Sequence, residues 1–150
     1  MNHISKRLIG SVAALAGFVA LSACGTTDVT RARVEGALTP TFANLYVQQA
    51  AVLGHTGVTV ASTAAQATCD RGGPKVADKG PGADWICMIH FTDNAGAAQD
   101  GKFELQIKSN SCYTAAGPSK LIGPVTITDT NGHDVTNPVF EFDGCFDPNS

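Results

Sequence analysis

The stretch Trp85-Ile86-Cys87-Met88-Ile89-His90-Phe91-Thr92 decides the fold class. In an extended chain, side chains alternate with a period of two, so Trp85, Cys87, Ile89 and Phe91 share one face and Ile86, Met88 and His90 the other. β-branched and aromatic residues dominate, and both faces are largely apolar. This predicts a central strand covered on both sides. Residues 93–101 contain Asn94, Gly96, Asp100 and Gly101 and read as a loop. Residues 102–109 then alternate cleanly, with Phe103, Leu105 and Ile107 inward and Lys102, Glu104, Gln106 and Lys108 outward. The pair is a hairpin with one wet face.

Upstream of this hairpin, residues 69–84 carry Arg71-Gly72-Gly73-Pro74 and Gly80-Pro81-Gly82, two turn-forming clusters that mark a loop. Residues 57–62 alternate Val58 and Val60 with Thr59 and Ala61 and read as a first strand; residues 62–68 either extend it or form a loop. Residues 29–54 read as helical. Asp28 is a candidate cap for a segment reaching Leu38. Thr39-Pro40 suggests a second start, with Thr39 as N-cap and Pro40 at the first helical position. Phe42, Leu45, Tyr46, Val52 and Leu53 recur at helical spacing, Gln49 interrupts the stripe, and Gly54 suits a C-terminal stop. That apolar face is assigned to the core, since a chain of this size needs it.

Downstream, residues 109–120 hold Cys112 and Tyr113 in a turn-rich stretch. Residues 125–130 form a strand entered at Pro124. Asp129-Thr130-Asn131-Gly132 is a tight-turn signal, and residues 135–143 return as an edge or bulged strand because Pro138 lies within them. One helical region followed by about five strands, two pairs of them in hairpins, is the α+β pattern. The expectation is an N-terminal helix packed on a curved antiparallel sheet, similar to cystatin-like architecture. A helix-preceded β-sandwich is the alternative.

The first residues carry a different signal. Lys6 and Arg7 precede an apolar or small run over 9–21 broken only by Ser11. A basic tip with a short apolar stretch is the signal-peptide pattern, and the run falls below the roughly 20 residues a spanning helix needs. Leu21-Ser22-Ala23-Cys24 follows directly. It resembles the lipobox of bacterial lipoproteins at every position. The resemblance covers 1–25 and implies cleavage after Ala23, diacylglyceryl transfer to the Cys24 thiol, and anchoring in a lipid bilayer through the acylated Cys24. Two or three acyl chains hold firmly where one holds marginally, at about 0.8 kcal/mol per buried methylene. The expected organisation is a cleaved leader over 1–23, a lipidated tether over 24–28 and one globular domain over 29–150. Such a protein works outside the cytoplasm, lipid-anchored on the outer face or periplasmic side of the cell membrane, and the short tether keeps the domain near the bilayer.

Five cysteines become four once Cys24 is set aside. Cys69, Cys87, Cys112 and Cys145 form an even set in an exported chain, which points to disulfides. Intervals of 18, 25 and 33 residues contain no C-x2-C pair and do not suit zinc. Of the three connectivities, Cys69–Cys87 with Cys112–Cys145 is favoured, because neighbours in order often flank adjacent strands. Two of the ten basic residues and none of the thirteen acidic ones lie in the leader, so the remainder carries a net charge of −5. No basic patch marks a nucleic-acid surface.

Catalytic motifs are not found. His55, His90 and His133 fall at a helix end, in a strand and in a turn, and none has metal-ligand spacing. Asp129-Thr130-Asn131-Gly132-His133-Asp134 partly matches a calcium loop, but Phe140 stands at the twelfth position where Glu is required. There is no G-x-S-x-G elbow and no phosphate loop. No catalytic residue, metal or cofactor is therefore expected, and the chain does not read as an enzyme. The body faintly resembles small lipoproteins of high-GC bacteria assigned to domains of unknown function. The resemblance rests on Arg33-Val34-Glu35, residues 58–69 and the glycine-then-Trp85-x-Cys87 strand entry, and it brings no catalytic residues. The expected function is a non-enzymatic interaction or accessory module of the cell envelope, with an envelope protein as partner. The alternative is a small-ligand-binding lipoprotein with a pocket between helix and sheet near Tyr46, Trp85 and His90.

Overall fold

The computed structural model describes residues 28–146. The leader, Leu21-Ser22-Ala23-Cys24 and the expected lipidation of Cys24 lie outside the described residues. The architecture is α+β: one long helix comes first and packs on one face of a five-stranded antiparallel sheet, and a separate two-stranded ribbon follows late in the chain.

Helix α1 (Arg31–Val52) is a single element of 22 residues, not two segments. Thr30, not Asp28, is its N-cap, and its hydroxyl accepts from the Arg33 N–H. The helix continues through Pro40. A proline inside a helix removes one N–H and leaves the carbonyl four residues back without its donor. Here that carbonyl belongs to Gly36, and both residues face solvent, so water is available to it. The next carbonyls gain side-chain donors: Thr41 Oγ1 donates to Ala37 O at 2.8 Å and Asn44 Nδ2 to Pro40 O at 2.7 Å. Val34, Leu38, Phe42, Tyr46 and Ala50 are buried at spacings of four and form the stripe that meets the sheet. Gly54 takes a left-handed conformation (φ 78°) just past the helix end, the role expected of it.

The expected strand over 57–62 is instead a capped turn of helix. Thr59 and Ser62 form a reciprocal capping box that opens α2 (Val60–Thr63), and Val60 is 45% exposed. Val58 packs against the core while Val60 is left outside it, and the local side-chain bonds to the backbone outweighed the Val58/Val60 alternation. The first strand is β1 (Gln66–Asp70), followed by β2 (Gly82–Thr92), β3 (Ala98–Ile107) and β4 (Cys112–Ala116). After the one-turn helix α3 (Ser119–Ile122), β5 (Thr126–Thr128) and β6 (Asp134–Thr136) make the ribbon, and β7 (Glu141–Cys145) rejoins the main sheet. The sheet order is β1-β2-β3-β4-β7, so β3 is the middle strand. One helix-covered sheet plus a ribbon is not a β-sandwich, and that alternative is set aside.

The β2–β3 hairpin has the predicted inward faces. Trp85 pairs with Leu105 and Cys87 with Phe103, and all four are buried. The outward face of β2 departs from expectation: Met88 is 42% exposed and His90 is exposed, because no layer among the described residues covers that side of the sheet. Met88 stands between Thr68 and Lys102, and His90 between Gln66 and Asp100, so polar cross-strand neighbours flank the residues on the wet face. Two more expectations change. The turn-rich stretch over 109–120 contains β4, which turns Tyr113 and Ala115 inward. The return over 135–143 is divided at Pro138: β6 ends at Thr136, Asn137 O accepts from Phe140 N–H in a turn, and β7 runs beside β4.

The core is aromatic. Phe42 meets Phe91 at 4.9 Å and Phe103 at 5.4 Å edge-on, Tyr46 meets Phe91 at 5.0 Å, and Tyr113 stacks on Phe146 at 5.9 Å. Such pairs add about 0.5–1.5 kcal/mol each beyond area burial. The disulfides are Cys69–Cys87 and Cys112–Cys145, and both are directly paired cross-strand positions. Each joins one edge strand, β1 or β7, to its inner neighbour. The first faces the core and is buried; the second lies on the wet face, with Cys145 exposed.

Candidate functional site

A pocket of about 290 Å³ opens between the C-terminal half of α1, the β2–β3 loop, α3 and the entry to the ribbon. Leu53, Leu121, Ile122, Pro124 and Ile127 supply apolar lining, and the polar members are Tyr46, Gln49, His55 and Asn94. No acidic residue, serine or cysteine lines it.

Gln49 in its polar wall is held from behind by a second buried amide, Asn137. Asn137, fully buried, donates through Nδ2 to Ile122 O at 2.8 Å and Pro124 O at 3.0 Å. Its Oδ1 accepts from Val139 N–H and from Gln49 Nε2 at 2.9 Å. Gln49 Nε2 also donates to Ile122 O at 2.6 Å. Two acceptors around Gln49 Nε2 fix the amide orientation, since a flipped amide would set oxygen against oxygen. Gln49 Oε1 is then an acceptor with no partner among the described residues, on a side chain only 5% exposed that lines the pocket. Tyr46 closes the inner end. Its hydroxyl accepts from the Asn94 N–H at 3.2 Å, and burial pushes its pKa above the usual phenol value. The site therefore offers an apolar floor, one fixed acceptor and a neutral phenol. It suits binding of a small, mostly apolar molecule that donates a hydrogen bond.

The three residues expected at a binding surface are not brought together. Tyr46 lines this pocket. Trp85 is fully buried at the far end of β2, where Nε1–H donates to Gly80 O at 3.1 Å and Arg71 lies over the ring at 5.9 Å. His90 points to the opposite, wet face and pairs with Asp100 at 2.9 Å. A pocket shared by Trp85, His90 and Tyr46 is thus corrected to one holding Tyr46 alone of the three. The alternation of β2 decides this, because residues 85 and 90 have opposite parity. Trp85 instead anchors the 71–81 loop. Arg71 makes a fork of bonds to Asp84, and Asp78 accepts from Arg71 N–H at 2.9 Å and pairs with Arg31. The Arg71 N–H, foremost, holds the Asp78 carboxyl below its usual pKa, and the Arg71 side chain does the same for Asp84.

The segment that partly matched a calcium loop is the β5–β6 turn. Asp129 Oδ1 accepts from Asn131 and His133 N–H groups, which keeps its pKa low. Among the described residues no group of three His, Cys, Asp or Glu is placed to hold a metal ion, and no helix is long and apolar enough to cross a membrane. Gln49 was legible only as a polar break in an apolar stripe. Its partner Asn137, beside Pro138, carried no signal. Comparisons with family models, with curated proteins and with solved structures return no match, so the cystatin-like description rests on element order alone.

Proposed function

We propose that this chain is an extracytoplasmic lipoprotein, anchored through acyl chains on Cys24, whose disulfide-bonded domain is a non-enzymatic interaction or accessory module of the cell envelope. The observation that carries the reading is the cysteine pairing. Cys69–Cys87 and Cys112–Cys145 consume four of the five cysteines and leave Cys24, at the end of a lipobox-like leader, as the remaining thiol. Disulfides of this kind form and persist in oxidising compartments. Cross-linking on intact membranes followed by purification tests the module reading: one or more specific partners are expected, and recovery of none contradicts it.

A second reading is a small-ligand-binding lipoprotein. The unpartnered Gln49 Oε1 in a pocket of about 290 Å³ favours it. A thermal-shift series of small phenols, alcohols and amides tests it. Stabilisation that is lost in Gln49→Glu supports the reading, and no stabilisation by any member removes it.

A further inference from the structure

The two edges of the main sheet are treated differently. An edge strand presents a row of unpaired N–H and C=O groups that another chain can pair with. At β1 the helix covers that row: Ala67 N–H donates to Thr39 Oγ1 at 3.0 Å and Cys69 N–H to Glu35 Oε1 at 2.8 Å. Thr39 and Glu35 are four apart on α1, one above the other, which matches alternate residues of the strand.

At β7 no such cover of the outward backbone groups exists among the described residues. Phe146 N–H donates to Ser111 O, next to β4, so the alternation of an antiparallel ladder turns the backbone groups of Glu141, Asp143 and Cys145 away from β4. Those groups have no partner among the described residues. Beside them runs a groove of about 600 Å³ along the opposite flank of α1, lined by the small residues Ala32, Gly36, Ala37 and Pro40 together with Arg33 and Thr41, with Cys145 at its strand side. The Cys112–Cys145 disulfide holds this edge to β4. The wet face of the edge is acidic: Glu141 and Asp143 are exposed, and Thr114 Oγ1 donates to Asp143 at 2.7 Å.

We infer that β7 receives an extended segment of a partner protein as a sixth strand, with basic residues at alternate positions and small apolar residues between them. The proposal deepens the interaction-module reading and rests on it by naming the partner's chemistry. Residues paired opposite Glu141 and Asp143 share their face, where Lys or Arg is favoured and a like charge is not. Residues opposite Phe142 and Gly144 turn toward the helix side and enter the groove, where Arg33 is one more reason for them to be uncharged. Main-chain bonds supply affinity and alternate side chains supply specificity, as in strand addition generally. A second copy of this chain is disfavoured, because pairing β7 with itself brings Glu141 and Asp143 of the two copies together.

The test uses the full chain and a fluorescent peptide, Lys-Val-Lys-Val-Lys-Val-Lys, followed by anisotropy. Binding is expected, with at least tenfold weakening when alternate amides of the peptide are N-methylated and no binding of the Glu-Val counterpart. Asp143→Pro removes an outward N–H together with the carboxylate to which Thr114 Oγ1 donates, and should weaken binding at least tenfold and more than Asp143→Ala, which removes the carboxylate alone. Gly36→Leu, at a position where nothing lies within 4 Å of an added Cβ, should also weaken binding at least tenfold, by filling the groove. Glu141→Lys with Asp143→Lys should switch preference to the Glu-Val peptide. Absence of binding, equal binding of the N-methylated peptide, affinity within twofold in both Asp143→Pro and Gly36→Leu, or self-association through this edge overturns the proposal. Cross-links from membranes that map to the wet face around Met88 would overturn the site and leave the module reading standing.

Discussion

Reduction of the folded protein should break Cys112–Cys145 well before Cys69–Cys87. Cys69 and Cys87 are 1% and 0% exposed, on the helix-covered face, whereas Cys145 is exposed and Cys112 half-buried on the wet face. A thiolate must reach a sulfur to exchange with it, so the inner bond reacts only when the sheet opens. The two bonds also differ in what their loss costs. With its cysteines 18 positions apart, Cys69–Cys87 restricts the unfolded chain by about 3.2 kcal/mol in the chain-entropy model, and Cys112–Cys145, 33 apart, by about 3.7 kcal/mol. Replacing the inner pair by alanines also empties two buried sulfur positions, which adds roughly 1–3 kcal/mol by analogy with deleted core methylenes. The double variant Cys69→Ala/Cys87→Ala should therefore lose about 4–6 kcal/mol and Cys112→Ala/Cys145→Ala about 3–4 kcal/mol, against a typical total stability of about 5–15 kcal/mol. Timed dithiothreitol treatment, acid quench, alkylation and peptide mapping read the order of reduction. An excess of at least tenfold in the rate at Cys112–Cys145 is expected. Equal rates, or earlier loss of Cys69–Cys87, would refute the placement of the two bonds on opposite faces.

Pro40→Ala should raise stability by about 1–3 kcal/mol in urea titration, because alanine restores the N–H opposite Gly36 O while the unfolded chain regains some freedom. Asn137→Leu should lower stability by about 2–4 kcal/mol, since Ile122 O, Pro124 O and Val139 N–H lose a shared partner in the core; a loss below 0.5 kcal/mol would contradict the amide network. Gly144→Ala should cost about 1–3 kcal/mol by overpacking, as its Cβ would lie 2.4 Å from the Tyr113 hydroxyl and that ring is 1% exposed. Asp78, Asp84, Asp93 and Asp129 all have folded pKa values below the ordinary 3.8. The unfolded chain therefore binds more protons in that range, so their stabilisation is complete above the unfolded value and is lost as pH falls from there through the folded values. Chemical denaturation from pH 6 to pH 2 should show this acid-side loss, and stability rising toward pH 2 would contradict it.

Much of the fold was legible because long alternations leave little choice. Phe103, Leu105 and Ile107 against Lys102, Glu104 and Gln106 admit one orientation, and a one-residue slip would bury the charges. Short elements were not legible. β4 has only Tyr113 and Ala115 to mark its inner face, and Val58 and Val60 gave a strand-like pattern that the Thr59–Ser62 capping box overrode. Thr39-Pro40 had the local chemistry of a helix start, yet the stripe from Val34 to Ala50 needed an unbroken helix, and burial of Leu38 and Phe42 on one face favoured continuity. The apolar outer face of β2 was misread because alternation gives parity and not coverage; only the sheet order shows that no second layer of described residues lies there. The pocket depended on Gln49 meeting Asn137 across 88 positions, a contact that spacing cannot reveal. The acidic β7 edge was hidden for the same reason, since Glu141 and Asp143 acquire meaning only once β7 is the last strand of the described sheet.

The central claim is that Cys24 carries lipid while the other four cysteines are paired. Intact-mass and peptide mass spectrometry of the protein from the membrane fraction of its native host tests it directly. The account predicts a chain beginning at acylated Cys24 with Cys69–Cys87 and Cys112–Cys145 intact, and a Cys24→Ala variant released from the membrane. An unmodified Cys24 thiol, a disulfide involving Cys24, or undiminished membrane association of that variant would contradict it.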